Sequence, residues 1–358
     1  MKQSALDPHF TRDARHVLDD LGSLVERFSG CTVLVTGLGG FIGAQFAHFF
    51  LALNDSGALR QPCRLVALDN FIRAEPWWLA GLRGRSNFEL QSADITSPRD
   101  LGAPDFIIHA ASIASPTFYR QFPIETMDAN VIGLRILLEH ASVRPVESLL
   151  FFSTSEIYGD PDPANIPTEE TYRGNVSCTG PRACYDESKR YGETLCVNFA
   201  RSRNIPVSIA RPFNNYGPGL RLSDRRVLPD LFRDALAGND LVLLSDGRAT
   251  RTFCYAADAV AGYLRILLRG RAGESYNIGC EVPEISMLEL ARMVARVAGG
   301  TSRVIHQASD DRDYLTDNPQ RRCPVIRKAR EELDFSPTVG LEEGLERCHA
   351  YYRDHASD

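Results

Sequence analysis

The feature that most constrains this chain is a glycine fingerprint, Thr36-Gly37-Leu38-Gly39-Gly40-Phe41-Ile42-Gly43, set between two apolar runs. The run before it, TVLVTG, is β-branched and bounded by glycine, which reads as a buried parallel strand. The run after it, Phe41 to Leu53, is apolar on most sides and reads as a packed crossover helix. Glycine triplets arise by chance in many chains, and it is the position between strand and helix that gives this one meaning. Gly37 permits a tight turn, Gly40 lets backbone amides approach a pyrophosphate, and Gly43 lets the helix lie close to the sheet. Phe41 and Ile42 open the helix, whose N-terminus favours phosphate charge.

The alternation continues. RLVALDN, NFELQSADI, DFIIHAA, SLLFFSTS and PVSIARPFNNYG read as further strands, with helical stretches between several of them, notably Ile124–Ala141. Strands alternating with helices predict an α/β fold, a Rossmann-like doubly wound parallel sheet with a smaller C-terminal lobe. Residues 1–30 are expected to be a helical extension. Val17, Leu18, Leu21, Leu24, Val25 and Phe28 recur at helical spacing, and Gly30 ends the pattern. Residues 31–205 are expected to form the dinucleotide-binding domain, with later segments returning to it. Residues 206–358 are expected to be mainly a ligand-binding lobe, interleaved with the first around one cleft.

Asp69 ends the second strand, where a carboxylate can accept from both hydroxyls of an adenosine ribose and would repel a 2′-phosphate. This favours NAD over NADP, although Arg73 lies nearby. Asn70, Asp94, Ile95 and Ala110, at or just beyond strand ends, complete the candidate cofactor residues; Asp94 reads equally well as a turn-initiating residue. Within YDESKRYGE, Tyr185 and Lys189 are four apart and share one helix face. An ammonium beside a phenol favours phenolate, a general base toward a substrate hydroxyl. Ser153-Thr154-Ser155 closes the fifth strand, where a doubly wound sheet presents residues to its ligand.

Composition excludes several other classes. The 40 basic and 46 acidic residues leave a net charge of −6, which lacks the basic footprint of a nucleic-acid binder. Nine cysteines without a CxxC pair, together with eight scattered histidines, predict reduced thiols and no metal centre. No apolar run reaches the ~18 residues of a membrane span. The N-terminal stretch lacks a signal-peptide core, so a cytoplasmic protein without membrane partners is expected.

These motifs resemble the extended short-chain dehydrogenase/reductases of the NAD-dependent epimerase/dehydratase family. The segments TSEIYGDP, GPRACYDESKRYGETLC, RPFNNYGPG, DGRATRTFCY, DNPQRRCPVIRKA and LEEGL are most similar to those of the UDP-glucuronate decarboxylases, in the same order. The resemblance implies a tightly held NAD that is regenerated in each turnover, and a UDP-sugar substrate, UDP-glucuronate. It gives Tyr185 the sugar 4-hydroxyl proton, places Thr154 and Ser155 around the 4-position, and puts Glu156 near C5. It assigns Arg251 to the glucuronate carboxylate or the 4-keto intermediate, Asn214, Arg226 and Arg322 to the diphosphate, and Tyr119 to the sugar. Structural readings of the same residues are a loop-capping Glu156, an Arg251 salt bridge within the second lobe, and ordinary surface arginines. It also implies a homodimer through a four-helix bundle built on Ile124–Ala141 and Tyr185–Arg203.

The chain departs from the family pattern at Glu125 and Asp128 (lysines expected), Gly219 (arginine), Arg225 (glycine) and Val325 (aspartate). A 4-epimerase needs only the tyrosine, the lysine and a hydroxyl, and is the main alternative. A 4,6-dehydratase carries an Asp-Glu pair where this chain has Ser155-Glu156. A non-catalytic cofactor-binding protein on this fold would often lack the tyrosine or the lysine.

Overall fold

The structure, a computed structural model, describes residues 6–97, 99–309 and 316–355. Its first half runs α1 (Pro8–Leu21), β1 (Thr32–Thr36), α2 (Phe41–Asp55), β2 (Arg64–Asp69), β3 (Phe88–Ser92), β4 (Phe106–His109), α3 (Pro116–Gln121), α4 (Pro123–Asp128), α5 (Leu134–Val143), β5 (Ser148–Phe152) and α6 (Ala183–Arg203). The second half runs β6 (Val207–Pro212), β7 (Asn215–Tyr216), α7 (Val227–Leu236), β8 (Leu241–Leu243), β9 (Thr250–Arg251), β10 (Cys254–Tyr255), α8 (Ala256–Arg269), β11 (Ser275–Ile278), β12 (Ile285–Ser286), α9 (Met287–Val297), β13 (Val304–His306), β14 (Arg321–Arg322), α10 (Arg327–Leu333) and α11 (Leu341–Asp354).

Seven parallel strands make the central sheet in the order β11-β6-β5-β4-β1-β2-β3. The order reverses between β1 and β4, and the crevice beyond the strand ends there is where such sheets take ligands. The interior strands β1, β4, β5 and β6 are buried along nearly their whole length, which explains their continuous apolar runs. β11, late in the chain, adds the edge strand beside β6. Smaller sheets, β12-β9-β14 among them, carry residues 250–251 and 321–322.

Three expected elements differ in detail. The N-terminal helix starts on an Asp7 cap, with Pro8 in the first turn, and ends at Gly22 rather than Gly30. Gly22 takes φ +52, a conformation that breaks the α-helical ladder, and residues 22–28 continue as a 3₁₀ helix. The stretch 124–141 is helical but contains a wider π turn at Ala129–Gly133. The run PVSIARPFNNYG splits into β6 and β7 around Asn214, whose φ is +40.

The N-terminal helix is part of the body. Phe10 stacks on His48 of α2 at 3.9 Å, and buried Asp13 accepts from the Tyr255 hydroxyl at 2.7 Å. Phe10 also explains Gly219. A Cβ there would lie 3.0 Å from the Phe10 ring, and φ is +87, so the arginine expected at this position would be both strained and obstructed. Arg225 sits at φ +59, a left-handed position, which accounts for the glycine expected there.

Candidate active site

The glycine loop is built as its residues require. Gly37 has φ +75, and a Cβ on it would meet the Ala111 amide at 2.5 Å and the Ala110 carbonyl carbon at 2.7 Å. A Cβ on Gly43 would meet Leu38 Cα at 2.5 Å, so α2 can lie against the loop only with glycine there. Gly40 precedes α2 without a capping side chain, so the first-turn amides of Phe41 and Ile42 have no intrahelical acceptor. Asp69 closes β2, and its carboxylate accepts from the Gly39 amide at 2.8 Å and the Phe71 amide at 2.7 Å. A carboxylate has about four acceptor positions, so capacity remains for a ribose diol. Ile95 is buried against the position of Gly133 in the π turn, while the Ala110 amide donates to Thr36 at 3.1 Å.

Asp94 and Asn70 are joined to each other, Asn70 Nδ2 donating to Asp94 at 2.8 Å. Asp94 also accepts from the amide and the hydroxyl of Thr96, at 2.8 and 2.7 Å, and so starts a turn. The Arg73 guanidinium is engaged within the chain. It pairs with Asp224 at 2.5 Å and lies over the Phe118 ring, 3.7 Å from its centre. It is therefore occupied where a 2′-phosphate reader would have to be free. The loop is fastened again by Arg221, which donates to the carbonyls of Arg73 and Ala74. Bare loop amides, forced glycines and a strand-end carboxylate fit a dinucleotide with a free ribose diol.

At the end of β5, Thr154 adopts extended geometry and starts a 3₁₀ turn, its hydroxyl accepting from the Glu156 amide at 3.2 Å. The Thr154 hydroxyl faces the Tyr185 phenol, and Ser155 is buried next to Thr154 in the chain. Tyr185 lies in the first turn of α6 and stacks flat on Tyr119, with ring centres 5.0 Å apart and planes at 7°. The expected ammonium–phenol contact is not formed. Lys189 is buried, donates to the Phe152 carbonyl at 2.6 Å, and sits 5.8 Å from the centre of the Tyr185 ring. Burial lowers the lysine to about 7, and burial raises the tyrosine to about 12, opposed by the nearby Thr154 hydroxyl. Without ligand, the phenol is therefore protonated at neutral pH.

Glu156 lies between buried Arg182, 2.5 Å away, and partly buried Arg322, 2.6 Å away. Burial opposes its charge, but Arg182, then Arg322 and Arg251, outweigh that and hold its carboxyl well below the usual range. Arg322 also donates to the Asn214 side chain at 3.4 Å, and Asn214 Nδ2 donates to the Thr252 carbonyl at 2.8 Å. Arg226 pairs with Asp224 at 2.7 Å and is a third exposed.

Two of the expected arginines are engaged within the chain. Arg251 is buried and spends its donors within the chain, on the carbonyls of Thr250 (2.7 Å), Pro319 (2.5 Å) and Gln320 (3.1 Å) and on Asn318. It clasps a loop rather than facing an open site. Arg322, expected on the diphosphate, pairs with Glu156. The residue that sequence reading missed is Arg182. Its signal was its place three residues before Tyr185, one helical turn away.

A family model described as the NAD dependent epimerase/dehydratase family matches residues 33–279. The chain is 36% identical over 323 residues to UDP-glucuronic acid decarboxylase 1 of Xenopus tropicalis, covering 90% of this chain and 72% of that protein. Among solved structures, an epimerase from Methanothermobacter thermautotrophicus is 27% identical with a TM-score of 0.81, covering 95% of this chain and 96% of that one. A dTDP-glucose 4,6-dehydratase from Streptomyces venezuelae, solved with NAD bound, is 26% identical with a TM-score of 0.77, covering 91% and 98%. The chain belongs to the NAD dependent epimerase/dehydratase family. It is a Rossmann-fold enzyme, and its cofactor is NAD.

Proposed function

We propose that this enzyme decarboxylates UDP-glucuronate to UDP-xylose through a 4-keto sugar. The observation that carries this reading is Glu156, ionised and clamped by two arginines beside Thr154 and Tyr185. A 4,6-dehydratase must protonate a leaving hydroxyl, yet the position before this glutamate is Ser155 and the glutamate itself is held charged. Loss of CO₂ from a β-keto acid needs no acid at the carboxylate. The similarity to UDP-glucuronic acid decarboxylases supports the same choice.

NAD, when bound, supplies the two-electron acceptor that makes a ketone of the C4 alcohol and later restores the alcohol. The loop amides around Gly40 would hold its pyrophosphate, Asp69 its adenosine ribose, and Lys189 its nicotinamide ribose. In its phenolate form Tyr185 takes the proton from the 4-hydroxyl, and Thr154 and Ser155 hydrogen-bond the same oxygen. With the 4-ketone in place, the bond from C5 to the carboxylate breaks, and its electron pair enters the ketone as an enolate while CO₂ leaves. One proton, drawn ultimately from water, is then added at C5. Tyr185 returns its proton to the C4 oxygen as the alcohol re-forms. Arg226, a third exposed beside Asp224, would serve the diphosphate, and Arg322, held on Glu156 and Asn214, would serve the uronate end.

The exposed apolar residues Ile124, Ile132, Val143 and Tyr191 on these helices support a homodimer through a four-helix bundle. Light scattering showing particles of monomer mass only would count against it.

The reading is tested by incubating the purified protein with UDP-glucuronate and identifying products by NMR. UDP-xylose with CO₂ is expected. UDP-galacturonate without CO₂ would establish the 4-epimerase instead.

A further inference from the structure

The two arginines on Glu156 come from different parts of the fold. Arg322 reaches it from β14, in the small sheet β12-β9-β14. Arg182 reaches it from the residue that precedes α6. The backbone of Arg182 is also the root of the turn that carries the base. Its carbonyl accepts from the amides of Tyr185 at 3.0 Å and Asp186 at 3.1 Å. One residue thus ties the strand-end carboxylate to the helix bearing the phenol. Arg182 is 7% exposed, so its link to Glu156 is little screened by solvent.

A second carboxylate competes for it. Asp186 lies 3.8 Å from Arg182 Nε, yet the two make no hydrogen bond. Among the described residues, three buried side-chain atoms here have no hydrogen-bond partner: Arg182 Nε, Asp186 Oδ1 and the hydroxyl of Tyr119, which stacks on Tyr185. The groups facing Asp186 are Glu156, Arg182, Arg322 and Asp317. Burial, then the charge of Glu156, pushes its carboxyl well above the usual range. A neutral Asp186 leaves the guanidinium to Glu156. Environments that drive two neighbouring carboxyls apart in this way assign them different tasks.

From this geometry we infer that Arg182 is a further positioning residue. It fixes Glu156 relative to Tyr185 through its guanidinium and its backbone carbonyl, and so sets how fast the 4-keto sugar loses CO₂. The inference rests on the decarboxylase reading. The step it governs is breakage of the bond from C5 to the carboxylate, with the electron pair held as the enolate until C5 takes a proton from water. Oxidation at C4, which depends on Tyr185, does not need the arginine.

The test compares wild type with Arg182→Met and Arg182→Lys, each checked for NAD content and circular dichroism. CO₂ release and reduced-cofactor absorbance are followed after mixing with UDP-glucuronate. Losing a charge-assisted bond to a buried carboxylate is expected to lower kcat by about 30- to 100-fold, with KM within ~3-fold. Reduced-cofactor absorbance should accumulate in Arg182→Met, because oxidation outruns loss of CO₂. Arg182→Lys keeps the charge without the planar fork and should fall between; it decides the matter if the methionine variant does not fold. Asp186→Asn, which imitates the neutral acid, should retain kcat within ~3-fold. Wild-type kinetics in the arginine variants, an equal loss of both phases, or misfolding of both would overturn the inference. Wild type that releases no CO₂ would instead sink the decarboxylase reading, and the inference with it.

Discussion

Lys189 Nζ gives its hydrogen bond to the carbonyl of Phe152, at 2.6 Å, and not to the hydroxyl of Tyr185. The lysine that the sequence pairs with the phenol is thus held on the end of β5, buried, with its ammonium lowered to about 7. This has a stability consequence. Above about 7 the folded lysine is neutral, while the unfolded one keeps its proton up to its ordinary 10.5. The unfolded state then binds more protons, so this group makes stability rise with pH across that window. Lys189→Met, which has no such proton, should show a flatter dependence of Tm on pH between 7 and 9 than wild type. Equal slopes would mean that the lysine is not depressed.

Tyr185→Phe removes one oxygen and leaves the ring that stacks on Tyr119. The variant should fold and hold NAD as wild type does. Its turnover should drop by about 10³-fold or more, the usual scale for losing a positioned base. Turnover near wild type would show that another group takes the 4-hydroxyl proton.

Much of this was legible from residue order. The β1 loop could be read because Gly37 and Gly43 have no alternative: a Cβ at either would strike the backbone. The strand runs could be read because interior parallel strands are apolar on both faces. The fates of individual arginines could not. Arg251 and Arg322 lie in similar basic stretches, yet one is consumed by loop carbonyls and the other meets Glu156 from 166 positions away. Such pairing depends on how β9 and β14 lie side by side, which no local pattern encodes. Arg182 escaped notice for a related reason, since its partner is a strand-end carboxylate distant in sequence.

Cofactor preference follows from Arg73. Paired with Asp224 and laid over Phe118, its guanidinium is already spent within the chain. The purified enzyme should carry NAD and no NADP. Arg73→Ala should weaken retention of NAD, because the loop loses a tie to residue 224, without gaining use of NADP. Measuring the cofactor released on denaturation decides this, and NADP in the wild-type protein would contradict it.

Arg225 is a non-glycine residue at φ +59. Left-handed geometry costs about 1–2 kcal/mol for such a residue, and glycine gives back about 0.5–1 kcal/mol through its looser unfolded chain. Arg225→Gly should therefore stabilise the protein by about 0.5–1 kcal/mol in urea unfolding. A loss of stability would show that the arginine side chain makes up for its backbone.

The most direct test of the central claim uses UDP-glucuronate carrying ¹³C in its carboxylate and deuterium at C4. The account predicts one labelled CO₂ for each UDP-xylose formed, deuterium retained at C4, and one solvent hydrogen at C5. Labelled carbon kept in a UDP-galacturonate product, with no CO₂ released, would contradict it.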